Sequence, residues 1–227
     1  MLEKDAPTIT ATYPTDGARI ITSTPKITWT ALDSGSGVDP STLALTLNGV
    51  KITSGITAKP ISGGYACEYT PTAALGEGSN TVAFDAVDFD GNRATQVSVT
   101  FAVDTVAPTL NVSEPAEGLS TNEPACTVAG TTNDATSSPV SVSIKLNNVD
   151  QGTVTVGSSG AFSKVLTLNE GQNTIEVTAT DQAGKATTVT RHVELDTHAP
   201  VISGVTITTN PADSGKTLII SVTVTDA

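Results

Sequence analysis

The sequence predicts an all-β protein made of tandem antiparallel sandwiches, two complete and the first two strands of a third. Three observations carry this. Short motifs recur in the same order along the chain. Apolar residues alternate with Thr and Ser at a period of two. Turn residues interrupt those runs at regular intervals, and no stretch has the periodicity of a useful helix.

The repeats set the frame. Asp104-Thr105-Val106-Ala107-Pro108-Thr109-Leu110 returns as Asp196-Thr197-His198-Ala199-Pro200-Val201-Ile202, and Asp5-Ala6-Pro7-Thr8-Ile9 is a weaker copy. Inside each unit, Gly78-Ser79-Asn80-Thr81-Val82 and the following Ala86-Val87-Asp88 match Gly171-Gln172-Asn173-Thr174-Ile175 and Ala179-Thr180-Asp181. Gly91 and Gly184 follow at the same offset, and Pro14-Thr15-Asp16-Gly17 matches Pro115-Ala116-Glu117-Gly118. The expected units are 1–105, 106–198 and an incomplete third over 199–227. The first two are expected to fold independently and to sit end to end.

Within the first unit, strands are expected near 8–13, 25–32, 41–47, 50–53, 64–70, 80–88 and 95–103. Ile27, Trp29 and Ala31 alternate with Thr28 and Thr30, and Leu43, Leu45 and Leu47 with Ala44 and Thr46. Alternation with one polar face marks an antiparallel sheet packed on one side, which β-branched residues suit. Asn48-Gly49 reads as a type I′ hairpin turn, because both central residues need positive φ. Asp39-Pro40 can open one short helical turn. In the second unit, strands are expected near 109–113, 124–130, 139–147, 152–156, 161–168, 173–181 and 187–195, with Asn147-Asn148 in the hairpin position. Strands near 201–208 and 217–225 begin the third. About seven short strands in roughly 95 residues is the signature of a sandwich.

Composition narrows the function. There are 23 acidic and 11 basic residues, for a formal charge of −12. Such a surface repels phosphate backbones, so nucleic acid is excluded as a partner. No apolar run approaches the roughly 20 residues of a membrane span, and membrane insertion is not expected. Met1-Leu2-Glu3-Lys4-Asp5 has neither the basic nor the apolar region of a signal peptide and reads as a cut edge.

No catalytic site is expected. The two histidines, His192 and His198, fall on a last strand and in a linker, with no nucleophile motif beside them. Cys67 and Cys126 lie in different units and read as buried free thiols. Trp29 alternates with Ile27 and Ala31, which places it in the core and away from any sugar-stacking platform. Tyr13, Tyr69 and Phe89 are the remaining candidates for exposed rings, scattered in sequence. One metal site is expected to be worth testing. Asp85, Asp88, Asp90 and Asn92 surround a Gly turn, and alternate oxygen ligands there suit Ca²⁺, with Asp104 joining from the linker. The competing reading is an ordinary Asp/Asn/Gly turn. At the matching place the second unit has Asp181-Gln182-Ala183-Gly184-Lys185, with one carboxylate left and a lysine introduced. Asp33 and Asp39 are a second candidate pair.

The Ala-Pro opening, the Asn-Thr-(Val/Ile) run into Ala-x-Asp, the Gly after it and the Asp-Thr-x-Ala-Pro exit resemble bacterial immunoglobulin-like domains, including the type named after domain B of glucodextranase. The resemblance extends over nearly the whole chain. It implies tandem immunoglobulin-like sandwiches, an extracellular or cell-surface setting and no catalytic residues. The expected role is a stalk or adhesin-like spacer whose partners are the neighbouring immunoglobulin-like domains of a larger protein. An accessory glycan- or protein-binding module of a secreted enzyme or adhesin is the alternative. A last expectation concerns residues 201–227, whose two apolar strands cannot close a sandwich. They invite self-association by strand exchange or edge pairing.

Overall fold

The computed structural model describes residues 4–208 and 219–226. The first sandwich contains β1 (Thr8–Tyr13), β2 (Arg19–Ile20), β3 (Ile27–Leu32), a 3₁₀ turn over Pro40–Thr42, β4 (Ala44–Leu47) and β5 (Val50–Ile52). It continues through β6 (Thr57–Ile61), β7 (Gly64–Tyr69), β8 (Gly78–Asp85) and β9 (Val97–Val103). One sheet has the order β1-β3-β7-β6 and the other β2-β9-β8-β4-β5. Alternate residues of both sheets fill the core: Ile27, Trp29 and Ala31 from β3, Leu45 and Leu47 from β4, Val82 and Phe84 from β8, Val99, Phe101 and Val103 from β9. Trp29 stacks against Phe84 across the sandwich, with ring centroids 4.9 Å apart. Removing a side chain as large and as buried as Trp29 costs about 3–5 kcal/mol in comparable cores.

The second sandwich repeats the plan with β10 (Thr109–Glu114), β11 (Leu119–Thr121), β12 (Ala125–Asn133), β13 (Ser141–Leu146) and β14 (Val149–Val154). Then come β15 (Ala161–Thr167), β16 (Gly171–Thr180) and β17 (Ala186–Leu195). Its sheets are β10-β12-β15 and β11-β17-β16-β13-β14. Val128, Ile144, Ile175, Val177 and Val193 are fully buried between them. Gly130, inside β12, is required by close approach. A Cβ there would stand 2.1 Å from the carbonyl oxygen of Asn111.

Both hairpin turns take the expected form. Asn48 and Gly49 have φ of 48° and 82°, and Asn147 and Asn148 have 50° and 66°. Asn replaces Gly at Asn148 because its short polar side chain tolerates the left-handed region. Three strands escaped the alternation argument. β2 and β11 have only two and three residues, too few to display a period. They pair in parallel with β9 and β17, against the antiparallel pattern expected. β6 contains Pro60, which confines it to an edge position beside β7.

β18 (Val201–Thr208) and β19 (Ile219–Thr225) form a separate two-stranded antiparallel sheet. Positions 217 and 218 of the expected last strand lie outside the described residues. The described chain divides into two compact units. One runs to Thr109 and takes in Asn133–Ser141 and Ala179–Thr187, and the other holds Leu110–Thr132, Val142–Thr178 and the chain from Thr188. Two loops of the second repeat thus belong to the same compact unit as the first sandwich.

Candidate functional site

The motifs that recur in sequence recur as hydrogen-bonded frames. In the first repeat Asn48 donates from Nδ2 to Asn80 Oδ1 at 2.8 Å, and Asn80 donates from Nδ2 to the carbonyls of Gly76 and Gly78, each at 2.9 Å. The Thr81 amide returns a bond to Asn48 Oδ1. In the second, Asn147 donates to Asn173 Oδ1 at 3.0 Å, Asn173 donates to the Asn169 and Gly171 carbonyls, and Thr174 donates to Asn147 Oδ1. The Asp-Thr exits are matched in the same way. Glu77 accepts from the amide and hydroxyl of Thr105, and Glu170 from those of Thr197. Asp104 Oδ1 and Asp196 Oδ1 accept from the amides of Val106 and His198.

Among the described residues, no three of the expected carboxylates Asp85, Asp88, Asp90 and Asp104 bring an oxygen each within 4.8 Å of one another. Asp85 pairs with the Arg93 guanidinium at 2.8 Å. Asp88 accepts from the Asn92 amide through Oδ1 and from Asn92 Nδ2 through Oδ2, each at 2.7 Å. Burial works to raise the Asp88 carboxyl, but bonds from Asn92, Ser36 and Gly91 outweigh it and hold the group below its ordinary value. Asp90 is exposed. This turn closes on itself, so Asp85 and Asp88 are already engaged. Asp33 accepts from the amides of Gly35 and Gly37, and Asp39 caps the 3₁₀ turn by accepting from Ser41. That pair is likewise engaged with its own loops.

Asp104 meets different partners. One oxygen from each of Asp104, Asp134 and Asp181 lies within 4.8 Å of the others, and all three residues are buried. Asp134 follows β12 and accepts from the amides of Thr136 and Ser137 through Oδ1. Asp181 follows β16 and accepts from the Lys185 amide through Oδ1. The two loops are joined where the Gln182 amide donates to the Ser137 carbonyl. Asp104 Oδ2 and Asp181 Oδ2 are buried with no hydrogen-bond partner. The turn differs from its first-repeat counterpart at three of five positions, and one of them bears on the open oxygen. Asn92, whose side chain satisfies Asp88 Oδ2, is replaced by Lys185, which leaves the second oxygen of Asp181 open. The sequence signal was the shared position of Asp104, Asp134 and Asp181. Each directly follows a strand, β9, β12 and β16 respectively.

The remaining reactive side chains are engaged structurally. His192 Nδ1 lies 2.7 Å from Glu117, and His198 Nδ1 lies 3.1 Å from Glu170. Each imidazole is therefore held by a carboxylate. Cys67 and Cys126 are buried and unbridged. Desolvation pushes the Cys67 thiol up to about 11 and raises that of Cys126, which keeps both as thiols and weak nucleophiles near neutral pH. Among the described residues no helix is long and apolar enough to cross a membrane.

Residues 7–83 match the family model of a bacterial Ig domain, and residues 108–197 match that of glucodextranase domain B. Bacillopeptidase F of Bacillus subtilis (strain 168) is 31% identical over 130 residues, 57% of this chain and 8% of that protein. The chain thus spans only a small part of that relative. A solved structure of Sidekick-1 immunoglobulin domains 1–5 aligns with 98% of this chain and 46% of its own, at 14% identity and a TM-score of 0.50. This is a likeness of fold alone. The fibronectin(III)-like modules of Clostridium thermocellum CbhA align over 82% of this chain and 93% of theirs, at 20% identity and a TM-score of 0.49. Two successive segments of the chain thus match models of bacterial immunoglobulin-like domains, the bacterial Ig domain over residues 7–83 and glucodextranase domain B over residues 108–197.

Proposed function

We propose that this chain is a non-catalytic spacer segment of a larger extracellular or cell-surface protein, with neighbouring immunoglobulin-like domains as its partners. The supporting observation is what the two repeats share. Paired asparagines, Glu–Thr exits and hairpin turns recur atom for atom, and all of them hold strands and loops together. The loops around Asp88 and Asp181, where a ligand-binding function would be kept, differ in residue type. The small share of Bacillopeptidase F that the chain spans agrees with a segment that serves other parts. The acidic, Thr-rich surface resists sticking to other acidic surfaces.

A second reading, an accessory glycan- or protein-binding module, draws on the enzymes in whose names the matched relatives appear. It also draws on the exposed ring of Phe89, 64% accessible. A glycan array and a pull-down on cell-wall polysaccharide separate the two. The spacer reading expects no specific retention. Retention that Phe89→Ala abolishes would favour the binding module.

A further inference from the structure

We propose that Asp104, Asp134 and Asp181 form a binding site for a calcium ion. The inference does not depend on the spacer reading. The three residues are 0%, 7% and 6% exposed. Burying one carboxylate is costly unless it is paired or coordinates a metal, and three in one small volume also repel each other. Among the described residues no lysine, arginine or histidine forms an ion pair with any of them. Arg19, which reaches the neighbouring Gln182, donates to that neutral amide at 2.6 and 3.1 Å. The charge therefore lacks a counterion among the described residues.

The geometry fits a cation. Two oxygens that share a calcium at about 2.4 Å are at most about 4.8 Å apart, the span within which the three carboxylates converge. In each residue Oδ1 is held by backbone amides, which orients the carboxylate. In Asp104 and Asp181 the buried Oδ2 has no partner. Both oxygens are buried and open to a ligand. The Oγ of Ser137, in the Asp134 loop, is also buried without a partner. An all-oxygen set without His or Cys disfavours zinc. Magnesium is seldom held by a dedicated protein cage, whereas calcium accepts irregular sets of six to eight oxygens completed by carbonyls or water.

The test is thermal melting and calorimetric titration of the whole chain with calcium chloride after removal of metal by chelator. The variants are Asp104→Asn, Asp134→Asn and Asp181→Asn, with Asp88→Asn and Asp196→Asn as controls. Asn keeps the Oδ1 acceptor for each turn and removes one charge. At about 10 mM calcium we expect wild type and both controls to melt roughly 5–10 °C higher than in chelator. The three site variants should lose most of that rise. In chelator they should melt at or above wild type, because a repulsive charge is gone. That crossover is something a purely structural role for these aspartates would not give. No heat of binding and no melting shift in wild type would overturn the proposal. So would a calcium response that survives all three site substitutions, or one that Asp88→Asn or Asp196→Asn abolishes.

Discussion

Asn80 and Asn173 are only 2% and 1% exposed, yet each side chain satisfies several polar groups that the fold would otherwise bury unpaired. An unsatisfied buried group costs about 1–3 kcal/mol, more than a made bond returns. Asn80→Ala and Asn173→Ala are therefore expected to lower stability by about 2–3 kcal/mol each, read from urea unfolding. A loss under about 0.5 kcal/mol would mean that water replaces the amide. Sequence repetition marked these asparagines, because their neighbours recur with them. It did not reveal their work, since the carbonyls they bind carry no side-chain signature.

The paired strands β18 and β19 stand apart from the two sandwiches in what they leave exposed. Val201, Ile202, Val205, Ile207, Ile219, Ile220, Val222 and Val224 are all at least half accessible. A lone hairpin is marginal in water, and exposed apolar strands with open edges associate. We expect sedimentation to show concentration-dependent dimers of the chain that a fragment ending at residue 200 does not form. Equal monomer masses for both would remove strand pairing as the cause. For the other elements, the long alternating strands were legible and the short ones were not. β2 and β11 exist because a neighbouring strand offers unpaired backbone groups, a tertiary fact that two or three residues cannot announce.

For the molecule as a whole, acid stability is expected to follow its hydrogen-bonded glutamates. Glu170 is held below its ordinary value chiefly by the Thr197 amide, Glu117 chiefly by His192, and Glu68 chiefly by Lys26. A carboxyl depressed in the folded state contributes stability above its unfolded value, and that contribution is lost as pH falls through the folded one. A combined Glu68→Gln, Glu117→Gln, Glu170→Gln variant should melt below wild type above about pH 5, with the gap closing as pH falls below about 4. A gap that stays constant with pH would assign the loss to packing. Glu117 and Glu170 are solvent-exposed and Glu68 is half-buried against an exposed lysine, so the gap should be small.

The sequence by itself determined the sandwich architecture, the tandem repeat, the hairpin turns and most of the core, because period-two alternation and left-handed turn residues are local properties. Trp29, Ile144 and Asn48-Gly49 needed no tertiary information to be placed. Only the tertiary structure decided which acidic residues are engaged and which are left without partners. Motif spacing pointed to the carboxylate-rich turn at Asp85, Asp88 and Asp90, and there Arg93 pairs with Asp85 and Asn92 bonds Asp88. Asp104, Asp134 and Asp181 are spread over 78 positions of sequence, and the ends of β9, β12 and β16 bring them within 4.8 Å. Whether a carboxylate can receive a ligand depends on what its second oxygen touches, and that is set by folding.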